Sequence, residues 1–191
     1  MTFKPALTLA AVAAALALAA CSDKQETSVQ LSASEAAASS PAAAQAQTLA
    51  SSDGKISITV DNGRFEDRSA EAAQWLGSAE QGELVLLQRD DAANITLAAH
   101  KLGQPKSDAA AFFNNLAADL KANQDLQDVE VGEATDNRMN YRFSHSSEGV
   151  SLSEQCVALY EAEQLYSVCA SSDSAPAAQL AAVLGNITLK P

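Results

Sequence analysis

The side chains that could bond a metal, an electrophile or one another are Cys21, Cys156, Cys169, His100 and His145, the three cysteines and two histidines of the chain. Cys156 and Cys169 flank Glu161 to Gln164 almost symmetrically. A hairpin closed about Ala162-Glu163 sets Tyr160 opposite Leu165, Ala158 opposite Ser167 and Cys156 opposite Cys169. Counting outward from a hydrogen-bonded Glu161 and Gln164 makes the cysteines a non-hydrogen-bonded pair, with Cα atoms about 4.5 Å apart and within reach of a disulfide. Twelve intervening residues on two strands do not resemble the CxxC of a redox-active dithiol, and no second CxxC or histidine cluster completes a zinc site. His145 continues the alternation of Met139, Tyr141 and Phe143, which places it at the rim of an apolar face, and His100 lies late in another strand. Their spacing is not that of recognised ligand motifs, so metal ligands are not expected. Ser144 beside His145 does not make a nucleophile and base, because neighbours on a strand point to opposite faces. Asp90-Asp91 and the Glu161/Glu163 tip match no calcium loop and read as solvated turns.

The elements that must carry these groups follow from periodicity. Ile56, Ile58 and Val60 alternate with polar residues, a strand closed by the turn Asp61-Asn62-Gly63. Ser69 is placed to cap a short helix over Ala70 to Leu76, ended by Gly77, with Trp75 as a core candidate. Strands are expected over Glu83 to Gln88 and Asn94 to Leu102. Ser107 then caps the best helix pattern, Asp108 to about Ala122, whose residues 109, 112, 113, 116, 117 and 120 form one apolar stripe for the sheet. Val129 to Glu133, Arg138 to His145, Val150 to Tyr160 and Leu165 to Ala170 read as a meander. Pro176 opens a last helix with Leu180, Val183 and Leu184 inward, and Ile187 to Leu189 closes in extended form.

Composition divides the chain. Residues 1–20 carry Lys4 and then the apolar run Ala6 to Ala20, short and Ala-rich for a spanning helix. Residues 21–53 are mostly Ala, Ser, Gln and Thr, too poor in large apolar groups to offset chain entropy, and read as a flexible tether. Such a tether spans on the order of 30 Å. Residues 54–191 remain as one globular domain, long enough to bury most of its apolar surface. The formal charge of −12 argues against nucleic acid and against an anionic lipid surface.

Leu18-Ala19-Ala20-Cys21 resembles the lipobox of bacterial lipoproteins. The resemblance implies cleavage before Cys21, a diacylglycerol on its sulfur, acylation of its new amine (typically palmitate), and membrane contact through that lipid. Ser22, with no Asp at that position, resembles the outer-membrane sorting pattern. An exported chain whose Cys21 is so used leaves Cys156 and Cys169 for a disulfide in an oxidising compartment. From residue 54 onward the order of elements resembles the Mog1/PsbP/DcrB-like α/β/α sandwich: an opening strand, paired strands, the 108–122 helix, a meander and a last helix. It implies an α+β fold with a mostly antiparallel sheet and two main helices. It also implies a binding or assembly role with no catalytic residues and no cofactor, the expected partner being another envelope protein. The alternative is a carrier of a small apolar molecule between the main helix and the sheet.

Overall fold

The alternating Ile56, Ile58 and Val60 form β2 (Ile56–Asp61), and all three are buried. The computed structural model describes residues 45–75, 82–147, 149–161 and 164–190. The expected leader, the lipid site at Cys21 and the first part of the tether therefore lie outside the described residues. So do Leu76, Gly77, the side chain of Trp75 and the Ala162-Glu163 tip.

One boundary needs correction. Within the stretch read as tether, Ala46–Ala50 is a strand, β1, paired antiparallel with β2 so that Leu49 faces Ile58. Leu49 is 6% exposed and belongs to the core. The Gln47 side-chain amide donates to the Phe65 carbonyl (2.7 Å) and accepts from the Phe65 N–H (2.8 Å), standing in for a neighbouring strand. Composition missed the strand because it contains a single large apolar residue; backbone pairing holds the rest.

β10 (Asn186–Leu189) pairs on the other side of β2, giving a three-stranded sheet in the order β1-β2-β10. The remaining strands are β3 (Glu66–Asp67), β4 (Glu83–Asp90), β5 (Ile95–Gly103), β6 (Gln127–Val131), β7 (Arg138–Ser147), β8 (Val150–Tyr160) and β9 (Leu165–Ser172). They form a second antiparallel sheet in the order β3-β4-β5-β9-β8-β7-β6. The fold is thus α+β as expected, with the opening and closing strands set apart in a sheet of their own.

Period-two alternation gives each face of the larger sheet its own core. Leu97, Ala99, Val157, Leu159, Tyr166, Val168 and Ala170 point to one side, against β2 and against Leu180, Val183 and Leu184 at the helix α3 (Ala177–Val183). Met139, Tyr141, Cys156 and Ala158 point to the other, where α2 (Ala109–Ala122) lays down Phe113 and Leu120. Ala109, Phe112, Leu116 and Ala117 complete the stripe read from the sequence.

Two of the three helix starts differ from expectation by one residue. Asp108, not Ser107, caps α2: its Oδ1 accepts from the Ala111 N–H at 2.8 Å. Asp108→Ala is expected to cost about 1 kcal/mol in urea unfolding, with Asp108→Asn recovering most of it. At the other start Arg68, not Ser69, holds the cap position and makes no side-chain cap; Asp67 Oδ1 accepts the Ser69 N–H at 2.8 Å, and a 3₁₀ turn over Ser69–Glu71 leads into α1 (Ala72–Trp75).

A polar contact ties the smaller sheet to the larger. Tyr166 on β9 donates from its hydroxyl to Asp53 Oδ2 at 3.0 Å, in the turn between β1 and β2. Burial, with the Asp53 hydrogen bond and charge added, pushes the Tyr166 hydroxyl up to about 12. Burial also opposes ionisation of Asp53, but hydrogen bonds from Ser51, Lys55 and Tyr166 outweigh it and leave that carboxyl below its ordinary value. The fold holds the Tyr166 proton more tightly than the unfolded chain does. Its contribution is therefore intact below about pH 10 and lost as pH rises towards the folded value. Tyr166→Phe is expected to flatten that alkaline limb, read as urea midpoints at about pH 8 and about pH 11.

Candidate functional site

The β8–β9 hairpin has the register read from the sequence: Tyr160 pairs with Leu165, Ala158 with Ser167 and Cys156 with Cys169. Reciprocal backbone bonds between Glu161 and Gln164 (2.9 and 3.3 Å) close it. Cys156 and Cys169 are joined in a disulfide with Cα atoms 4.1 Å apart, the close spacing of a non-hydrogen-bonded pair. Cys156 is 0% exposed and Cys169 half-buried, on the α2 side of the sheet.

Strand alternation brings further polar groups to that side. Glu154 lies two residues before Cys156, and its Oε2 is 3.8 Å from the Cys156 sulfur. Its other oxygen is 2.9 Å from His145 Nε2, an ion pair when the ring is protonated. Two residues before Cys169, Ser167 Oγ lies 3.5 Å from the Cys169 sulfur and 3.1 Å from the Tyr141 hydroxyl. Burial pushes the Tyr141 hydroxyl above its ordinary value; the Ser167 hydrogen bond opposes that and the Glu154 charge adds to it. The rings of Tyr141, Phe143 and His145 follow one another along β7 at 6.2 and 6.0 Å. Glu154 was not named from the sequence, and Ser167 and Tyr141 entered only as register and alternation positions, not as neighbours of the bridge. The signal for the first two was there: each stands two positions before a bridged cysteine on the same strand face.

The two histidines are not brought together. His100 is on β5 and His145 on β7, with β9 and β8 between them, about 14 Å at ordinary strand spacing. Ser144 and His145 diverge as expected: the serine hydroxyl donates to Asp128 Oδ2 at 3.1 Å while the histidine pairs with Glu154. Asp90 corrects the solvated-turn reading. It is 5% exposed and its carboxylate accepts from the backbone of Arg64 (3.0 Å) and Ala93 (2.9 Å), fastening the β4–β5 turn. Asp91 is exposed and engages Arg89 and Arg68, both at 3.1 Å.

On the opposite side of the sheet, α3 leaves the β6–β7–β8 end partly open. Asn140, Arg142 and Gln155 face Ala177, Ala178 and Ala181 across a cleft of about 450 Å³. A neighbouring cleft of about 420 Å³ shares Arg142, Gln155 and Ala177 and continues past Ser144 and Ser153. Arg142 pairs with Glu130 through its terminal nitrogen, while its Nε–H is buried with no acceptor among the described residues. β6 is one of the sheet's two edge strands, five residues long, with Asp128 at φ +51° where its pairing with β7 shifts register. A short, charged, bulged edge resists strand addition, so recognition here would fall to side chains. A third cleft of about 220 Å³ lies among Val60, Phe65, Ile95 and Val183. None of the three clefts is lined by α2.

Among the described residues no helix is long and apolar enough to cross a membrane. The chain matches no family model and no curated protein. Among solved structures it is similar to LpqN of Mycobacterium tuberculosis, a protein described as involved in cell envelope biogenesis, at TM-score 0.47 and 14% identity over 77% of this chain and 91% of that one.

Proposed function

We propose that this chain is a bacterial envelope lipoprotein, anchored by lipid on Cys21, whose Mog1/PsbP/DcrB-like domain binds another envelope protein without catalysing a reaction. Ser22 after the lipidated cysteine favours the outer membrane. The observation that carries the binding role is the open polar groove beside β6, lined by Asn140, Arg142 and Gln155. The Arg142 side chain, 41% exposed and paired with Glu130, is the cation of that groove that a partner's carboxylate would meet. The carrier reading draws less support, because Phe113 and Leu120 fill the space under α2 that an apolar ligand would need.

A photo-crosslinking residue at Asn140, in the groove, can be compared in intact cells with one at Asn114, an exposed position on α2. A discrete adduct from position 140 alone, lost in Cys21→Ala, is expected. No adduct, or equal adducts from both positions, would sink the reading.

A further inference from the structure

We propose that, once the bridge is reduced, Cys156, Cys169 and Glu154 form a binding site for Zn²⁺. The ligand atoms of these three residues already lie within 4.8 Å of one another, on two paired strands and one sheet face. Zinc binds thiolate sulfur at about 2.3 Å and carboxylate oxygen at about 2.0–2.2 Å, which sets two sulfurs about 3.8 Å apart around a tetrahedron. Reduction frees the sulfurs to reach that separation by side-chain rotation, while the ladder on either side, Gln155 with Ala170 and Val157 with Val168, keeps the two residues opposed. Three protein ligands leave a fourth position for water, the arrangement of an open zinc site.

Charge favours the same conclusion. Two thiolates formed beside the Glu154 carboxylate concentrate three negative charges where Cys156 is wholly buried and Glu154 largely so. A divalent cation offsets the mutual repulsion of those charges. The surrounding groups suit a second layer of support. His145 Nε2 lies 2.9 Å from one Glu154 oxygen, and the other oxygen lies 3.8 Å from the Cys156 sulfur. Ser167, itself held by Tyr141, is placed to donate to the Cys169 thiolate. Cys169 is only half-buried, which gives a reductant and then the metal a route in.

The steps balance. An external dithiol gives two electrons and two protons to the Cys156–Cys169 bond and leaves as its own disulfide. The S–S bond breaks to two thiols, and Zn²⁺ then displaces their two protons to solvent. Reoxidation removes the thiolates and so releases the metal. Neither cysteine lines the clefts beside β6, and Glu154 lines the neighbouring one but not the cleft holding Asn140.

The probe is Co²⁺, titrated into the full chain reduced with a phosphine, with far-UV circular dichroism following the fold. One equivalent should bind with thiolate-to-metal charge-transfer absorbance, be displaced by Zn²⁺, and be absent from the oxidised protein. Cys169→Ser should lose the thiolate bands, and Glu154→Gln should weaken affinity at least tenfold while still forming the bridge in air. If reduction alone loosens the fold, Zn²⁺ should restore the circular dichroism. Absence of charge-transfer bands, equal binding by the oxidised form, undiminished affinity in Glu154→Gln, or no recovery with Zn²⁺ would each overturn the site.

Discussion

Phe113→Ala is expected to lower the unfolding free energy by about 4 kcal/mol, the middle of the range for emptying an aromatic core position. Phe113 is 2% exposed at the centre of α2's apolar stripe, over Met139, Tyr141, Cys156 and Ala158. Its ring also meets Phe112 at 5.2 Å and Tyr160 at 6.3 Å, so the substitution removes ring contacts as well as buried area. The sheet beneath cannot collapse into the space, because β7, β8 and β9 are held by their ladders. Asn114→Ala, one residue on and facing solvent, should leave the urea midpoint nearly unchanged. Similar losses at both positions would mean that α2 is not seated as described.

Cutting the Cys156–Cys169 bridge should cost about 3 kcal/mol, the value for a closed loop of this length. The sequence separation is 13. Cys156→Ala is the better test, since a serine hydroxyl at a position with 0% exposure would add its own burial cost. Variant and reduced wild type should lose stability by similar amounts in urea unfolding, and the non-reducing electrophoretic shift should vanish in both. An unchanged midpoint would mean that the bridge restrains nothing the hairpin has not already fixed. A domain of this size commonly holds about 5–15 kcal/mol in reserve, so the reduced protein is expected to stay folded. That is the state in which a dithiol metal site can form.

The hairpin was legible in the sequence because its register depends on local counting alone: two residues in the loop, then pairs outward to the cysteines. The α2 stripe was legible for the same kind of reason, since spacing on a helix fixes which side chains share a face. Pairing between distant strands was not. Alternation in Ile56, Ile58 and Val60 says that one side is buried but not that β2 lies between β1 and β10 in a separate sheet. Caps slipped between neighbours of similar chemistry, Ser107 against Asp108, where only the dihedral angles decide. The Glu154–His145 pair needed the β7–β8 register, in which Phe143 faces Glu154 and His145 faces Leu152, placing the two side chains diagonally on one face. The groove beside β6 depends on where α3 comes to rest, which no local pattern encodes.

The central claim is that a lipid at Cys21 places this acidic domain at a bacterial membrane, and mass spectrometry of the mature protein from its native host tests it directly. The account predicts a polypeptide beginning at Cys21, with the mass of a diacylglyceryl group and an added acyl chain on that residue. A first residue without lipid, or a product still carrying residues 1–20, would contradict it.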